Sequence, residues 1–225
     1  MLRREFLNTL VFAGGSLMGF RYNQEQPAVL ILGDSVSIGY MPVVKELMKD
    51  SFEVFSPTQE DGQPENCQGT TNALQKIDGW LGDKKWDIIH FNFGLHDLKH
   101  VHPETGKNSF SPKDPQQAVP KIYKKNLEVL VERLKATGAM LIFATTTPYP
   151  TPVDGPFRMA GEAQVYNKIA TRIMEKEDII INDLYAFVKP RMQELMIPKN
   201  VDFLDYGNEV LGAEVARVIR ETYMS

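Results

Sequence analysis

The chain is poor in cysteine: Cys67 stands alone, so no internal disulfide can form and no cysteine-rich zinc site can be built. Histidine is nearly as scarce. The four present are His90, His96, His100 and His102, and none follows position 102. Basic charge is not in excess, since 25 Lys and Arg face 29 Asp and Glu for a formal net charge of -4. That balance excludes the broad positive field of a nucleic-acid binder. Internal repeats and low-complexity tracts are missing too. What is there suits a soluble globular protein: 225 residues, 43% of them hydrophobic, enough for one domain of ordinary size.

Residues 1–20 stand apart in composition. The pair Arg3-Arg4, followed by Glu5-Phe6-Leu7, resembles the twin-arginine export signal of bacteria. Its apolar body, Leu10 to Phe20, is shorter than the roughly 20 residues that span a bilayer. The expectation is an export signal or N-terminal anchor over 1–22 and a single domain over 27–225, placed in the periplasm or at the cell surface of a bacterium. Any membrane contact would come through that first segment, if it is not removed.

From Pro27 onward, short apolar runs alternate with amphipathic stretches. Ala28–Leu32 has the continuous apolar character of a strand buried on both faces, and Phe52–Phe55, Asp87–Phe93, Ala139–Ala144 and Ile179–Ile181 supply four more strands. Apolar residues at helical spacing predict helices over Val36–Lys49, Thr71–Leu81, Pro120–Thr137, Ala163–Lys176, Leu184–Leu195 and Asn208–Tyr223. Strand alternating with helix implies a five-stranded parallel sheet covered on both faces. Ligands in such sheets bind beyond the carboxyl ends of the strands, so the loops after the first, third and fourth strands should carry any chemistry. The last two are long, about 95–115 and 145–161, as functional loops often are.

Gly33-Asp34-Ser35 closes the first strand and opens the first helix. A serine there lies among free backbone N–H groups at a helix N-terminus, where an oxyanion is favoured, although Asp34 or Ser35 would also serve as an ordinary cap. Gly94-Leu95-His96-Asp97 leaves the third strand. Together with Gly69 in the intervening loop, these segments resemble the blocks of the SGNH (GDSL) hydrolase family, whose first block is Gly-Asp-Ser and whose third is Gly-x-Asn-Asp. The resemblance implies a flavodoxin-like three-layer α/β/α sandwich and an ester hydrolase needing no cofactor. It places the nucleophile at Ser35, two oxyanion donors at the backbone N–H groups of Ser35 and Gly69, and a third donor at His96, where the family has asparagine. Asp97 is then a candidate to fix the imidazole tautomer.

The last block departs from the family pattern. SGNH hydrolases end with Asp-x-x-His before the terminal helix, whereas this chain has Asn200-Val201-Asp202-Phe203-Leu204-Asp205-Tyr206-Gly207. Matching Phe203 and Gly207 puts Asp202 on the histidine and Lys199 on the aspartate. A second register puts Asp202 on the aspartate and Asp205 on the histidine but loses the glycine. Either way the usual base is missing. Aspartate side chains are ordinarily weaker bases than imidazole by about 2.6 pKa units. Loss of the base costs a serine protease roughly 10⁶ in turnover, with about 10³ to 10⁴ over water surviving from oxyanion hole and binding. Two readings follow: His96 acts as base with Asp202 stabilising its imidazolium, or the chain is a pseudo-hydrolase that binds a glycan or acyl ligand.

The expected substrate is a small-molecule or glycan ester, with O-acetyl or other acyl groups on carbohydrate foremost. Outside the core of the motif, His90 lies within a strand and reads as a packed core residue. His96, His100 and His102 lack a carboxylate at ligand spacing, so no metal site is assigned. Arg158 would suit an anionic substrate group or an ordinary surface position. Tyr149, Phe157 and Phe110 are candidates for an apolar wall.

Overall fold

The five residues Ala28–Leu32 are buried along their whole length, which requires packed layers on both faces of the strand they form. In the computed structural model, which describes residues 26–225, this segment is β1, near the centre of a parallel sheet. The export segment expected over 1–22 lies outside the described residues. The other strands are β2 (Glu53–Phe55), β3 (Ile88–Phe91), β4 (Met140–Ala144) and β5 (Ile180–Asn182), in the order β2-β1-β3-β4-β5. Every pairing is parallel, with Val29 opposite both Val54 and Ile88, and Ile89 opposite Leu141.

Helices α1 (Ser35–Met48) and α7 (Asp205–Met224) pack together as one layer, while α2 (Thr70–Leu81), α3 (Pro120–Lys135) and α4 (Glu162–Lys176) form a second contiguous layer. The three-layer α/β/α sandwich with five parallel strands is therefore the fold, as the periodicity predicts. Its order is the flavodoxin-like one, in which β1 and β3 diverge at a switch point and leave a crevice beyond their carboxyl ends.

Two elements differ from expectation. The helix predicted over Leu184–Leu195 is broken into α5 (Leu184–Val188), a 3₁₀ turn at Lys189–Arg191 and α6 (Met192–Leu195). Pro190 lies in the turn and has no N–H to continue the ladder. The last helix starts at Asp205 rather than Asn208, with an acidic side chain in the first turn that suits the helix dipole. Among the described residues, no helix is long and apolar enough to cross a membrane.

Candidate active site

The nucleophile candidate is fixed by the way β1 hands over to α1. Asp34 caps α1 by accepting the Val36 N–H at 3.1 Å, and Ser37 turns its hydroxyl back to the Asp34 carbonyl at 2.7 Å. Ser35 is thereby the first residue of α1, half-buried, with its side chain left for other partners. Its hydroxyl donates to Asp202 Oδ1 at 2.7 Å, across 167 positions of chain. Of the two registers for the last block, the geometry brings Asp202 to the serine and leaves Asp205 exposed at the start of α7.

Asp202 is held by a pinched loop. Met196 and Phe203 form an antiparallel bridge, the Ile197 N–H donates to the Asp202 carbonyl, and the Leu204 N–H donates to the Leu195 carbonyl. Asn200 Oδ1 accepts the N–H groups of Val201 and Asp202. Gly207 completes the arrangement, because a Cβ there would collide with the Leu195 carbonyl oxygen.

The loop before α2 is tied to the same corner. The Cys67 N–H donates to the Gly33 carbonyl at 2.9 Å, two residues before Ser35. Gly69 is the N-cap residue of α2 and is buried. Among the described residues, no acceptor takes the backbone N–H of Ser35 or of Gly69. Asp97 supports this loop from the other side: its Oδ1 accepts the Thr70 N–H at 2.9 Å and the Thr70 hydroxyl. That corrects the expectation that Asp97 orients His96, since the carboxylate is spent on the start of α2. Its Oδ2 is sealed from solvent without a partner, and burial pushes the carboxyl up to about 6, against the Thr70 hydrogen bonds.

His96 follows a turn opened by Gly94, whose φ of 158° lies where a side chain would strain and whose missing Cβ leaves room for the Thr146 hydroxyl. The His96 ring is partly exposed, but Nδ1 is sealed without a partner. Burial, with the positive charges of Lys99 and Arg158 adding to it, lowers the imidazole to about 3. It is thus neutral at physiological pH, which suits a hydrogen-bond donor, while its lowered affinity for a proton makes it a weak base. The reading of His96 as base meets two obstacles: this weak basicity, and a Ser35 hydroxyl already given to Asp202.

The charge around the serine is mixed. Burial raises the Asp34 carboxyl to about 6, with the nearby Asp202 adding to the rise and the Val36 N–H and Arg158 opposing it. Arg158 is 7% exposed, far from the surface position weighed for it. Nothing in the sequence around it signals burial. Lys99 is half-buried beside it and was missed altogether at the level of sequence.

The remaining candidates fall away from the chemistry. His90 is fully buried in β3, its Nε2 3.4 Å from Asn182 Nδ2, and burial lowers it to about 4. His100 is buried edge-on against Phe157, at 4.8 Å between ring centres, and His102 is exposed. Tyr149 is buried with its hydroxyl on the Met159 carbonyl, so it is a brace rather than a wall. Phe110 alone of the three aromatics is open, at 74%. A groove of about 730 Å³ between α3 and α4 touches none of the site residues.

No protein-family model matches the chain, and no curated protein matches it in sequence. Solved structures do. A lipase/acylhydrolase from Enterococcus faecalis superposes with a TM-score of 0.68 at 18% identity, over 88% of this chain and 97% of that one. The acetyl xylan esterase AlAXEase gives 0.66 at 14% identity, over 85% and 99%. Axe2, an acetylxylan esterase from Geobacillus stearothermophilus, gives 0.65 at 15% identity, over 85% and 93%. Coverage of 85–88% of this chain and 93–99% of those chains, together with a likeness at a TM-score of 0.61 to a protein described as an SGNH hydrolase from Slackia heliotrinireducens, means that this chain has the SGNH-hydrolase fold.

Proposed function

We propose that the chain is an exported serine ester hydrolase of SGNH type, acting on an acyl ester of a carbohydrate, O-acetyl above all. The observation that carries the proposal is the 2.7 Å hydrogen bond from the Ser35 hydroxyl to Asp202. It gives a nucleophile at a helix N-terminus a direct proton acceptor. In the reaction, Ser35 Oγ bonds to the acyl carbon while its proton passes to Asp202 and the carbonyl electron pair moves onto oxygen. That oxyanion would be met by the N–H groups of Ser35 and Gly69 and by the neutral His96 ring. Collapse expels the sugar hydroxyl, which takes the proton back from Asp202. A water molecule then releases the acyl group by the same sequence in reverse roles.

Acetyl esters of carbohydrate are favoured because AlAXEase and Axe2, which share the fold, are named as acetylxylan esterases. Export rests on the Arg3-Arg4 pair and the short apolar body behind it. The competing reading is a binding protein on the same scaffold, favoured by the missing histidine of the last block. Incubation with a fluorophosphonate probe separates the two. Stoichiometric labelling of the full chain, abolished in Ser35→Ala, is the expected result; no labelling at high probe concentration would overturn the hydrolase reading.

A further inference from the structure

Buried charges are normally paired, because desolvating an unpaired ion is expensive. Arg158 breaks that rule. It is 7% exposed, yet it makes no ion pair with a carboxylate among the described residues. Its Nε donates to the Leu95 carbonyl at 3.4 Å and its Nη1 to the Pro156 carbonyl at 3.5 Å, both long and both neutral acceptors. Nη2, and the second hydrogen of Nη1, have no acceptor among the described residues. Nor is Nη2 among the polar atoms sealed away without a partner, so it keeps contact with solvent. The guanidinium is therefore held by two backbone carbonyls, with its remaining N–H donors left without an acceptor among the described residues.

The grip is built from both long loops. The Leu95 carbonyl belongs to the turn that carries His96, and Phe157, beside Arg158, is tied into the other loop by two hydrogen bonds: Phe157 N–H to the Ser109 carbonyl at 2.7 Å, and His100 N–H to the Phe157 carbonyl at 2.9 Å. Lys99 lies in the same neighbourhood, half-buried, and its ammonium has no ion pair among the described residues either. The Leu95 carbonyl that holds Arg158 directly precedes His96, and both cations interact electrostatically with Asp34, the residue before Ser35, while Arg158 also does so with Asp202, which takes the Ser35 hydroxyl. A guanidinium fork with unpaired donors matches a planar carboxylate.

Resting on the hydrolase reading above, we infer that Arg158 and Lys99 form an anion subsite beside Ser35 that selects esters borne on an acidic molecule, a sugar acid with a free carboxylate in place of a neutral sugar. The carboxylate supplies the charge partner that the fold leaves out.

The test uses the full chain and matched probes. Acetylated glucuronate and acetylated glucose are compared by kcat/KM, and glucuronate and glucose by calorimetric binding. Preference for the acid by tenfold or more is expected, falling at least fivefold in Arg158→Gln. Lys99→Gln, whose side chain makes no described hydrogen bond, keeps the test open should Arg158→Gln fail to fold, and is expected to lower the same ratio. Turnover of both esters with a ratio of one or less overturns the subsite and leaves the hydrolase standing. If no ester is turned over and Ser35 resists labelling, the hydrolase reading has failed and calorimetry decides alone. Tighter binding of glucuronate than glucose, weakened by Lys99→Gln, then carries the subsite, whereas equal or absent binding overturns it.

Discussion

The carboxylate of Asp97 occupies the space that a side chain at Gly69 would need: a Cβ built there would lie 2.9 Å from Oδ2 and 3.0 Å from Cγ. Backbone strain is not the issue, since the φ of Gly69 is -101°. The constraint is that Asp97 is buried and bound to Thr70 and cannot swing aside. Gly69→Ala is therefore expected to cost about 1–3 kcal/mol, the usual range for overpacking, read as a lower denaturation midpoint. Because the displaced loop also carries the Gly69 N–H that the proposed mechanism gives to the oxyanion, fluorophosphonate labelling of Ser35 should slow by tenfold or more. An alanine variant as stable and as quickly labelled as the parent would mean that the Gly69 loop has room to spare.

Asp202→Asn keeps the size and a hydrogen-bonding oxygen but removes the proton acceptor. General-base contributions of about 10²–10⁴ set the scale, so kcat/KM for an acetyl ester should fall at least a hundredfold. Thermal stability should change little, because the pinched loop is held by backbone and by Asn200. A fall below threefold would show that the Asp202 carboxylate takes no proton from Ser35.

His96 is cast as a neutral donor, so its replacement should follow hydrogen-bonding capacity rather than basicity. His96→Ala is expected to lose about 10²–10³ in kcat, the range for one oxyanion donor. His96→Asn, which can donate from its amide, should recover a large part. With the imidazole lowered to about 3, the pH-rate profile should also show no inflection near 6.5 from this residue. Equal losses in both variants would point to a geometric role for the ring.

Acid changes stability through groups of opposite sign. Asp34 and Asp97 are raised to about 6, so each binds its proton more readily in the folded state, and their contribution grows as pH falls through 6 toward 4. His90 and His96 are lowered to about 4 and about 3, so the unfolded chain takes protons first and stability is lost as pH drops below 6.5. Asp97→Asn removes one gain and leaves the losses. Between pH 7 and pH 5 the variant should lose about 1 kcal/mol more than the parent, one pKa unit being worth about 1.4 kcal/mol. Parallel urea midpoints for the two proteins across that range would contradict the buried-carboxyl assignment.

At Gly207 two effects compete. Alanine is a better helix former than glycine by about 1 kcal/mol. Against this, the new methyl would strike the Leu195 carbonyl oxygen, which already accepts the Leu204 N–H and is held in place. The clash should win, with a net loss of about 1–2 kcal/mol and slower labelling of Ser35 through displacement of Asp202. A raised melting temperature would show that the helix start can shift without cost.

The strands were legible because each is a short, nearly continuous apolar run, and only a sheet with two covered faces uses such runs. Ser35, Gly69, His96 and Asp202 were legible as motif positions, and the geometry ties the first and last by a hydrogen bond. Asp97 was misassigned for a local reason: adjacency in sequence suggested a partner for His96, yet neighbouring side chains on the turn after Gly94 diverge, and the carboxylate reaches Thr70, 27 positions away. The burial of Arg158 was beyond sequence reasoning altogether. It depends on carbonyls at Leu95 and Pro156 arriving from two loops, which no periodicity encodes.

The hydrogen bonds joining His100, Ser109 and Phe157 bind the loops after β3 and β4 into one structural unit. Transplanting either loop alone into a related scaffold would leave orphaned backbone groups and an unseated arginine. An engineer grafting this corner elsewhere does best to move the two together.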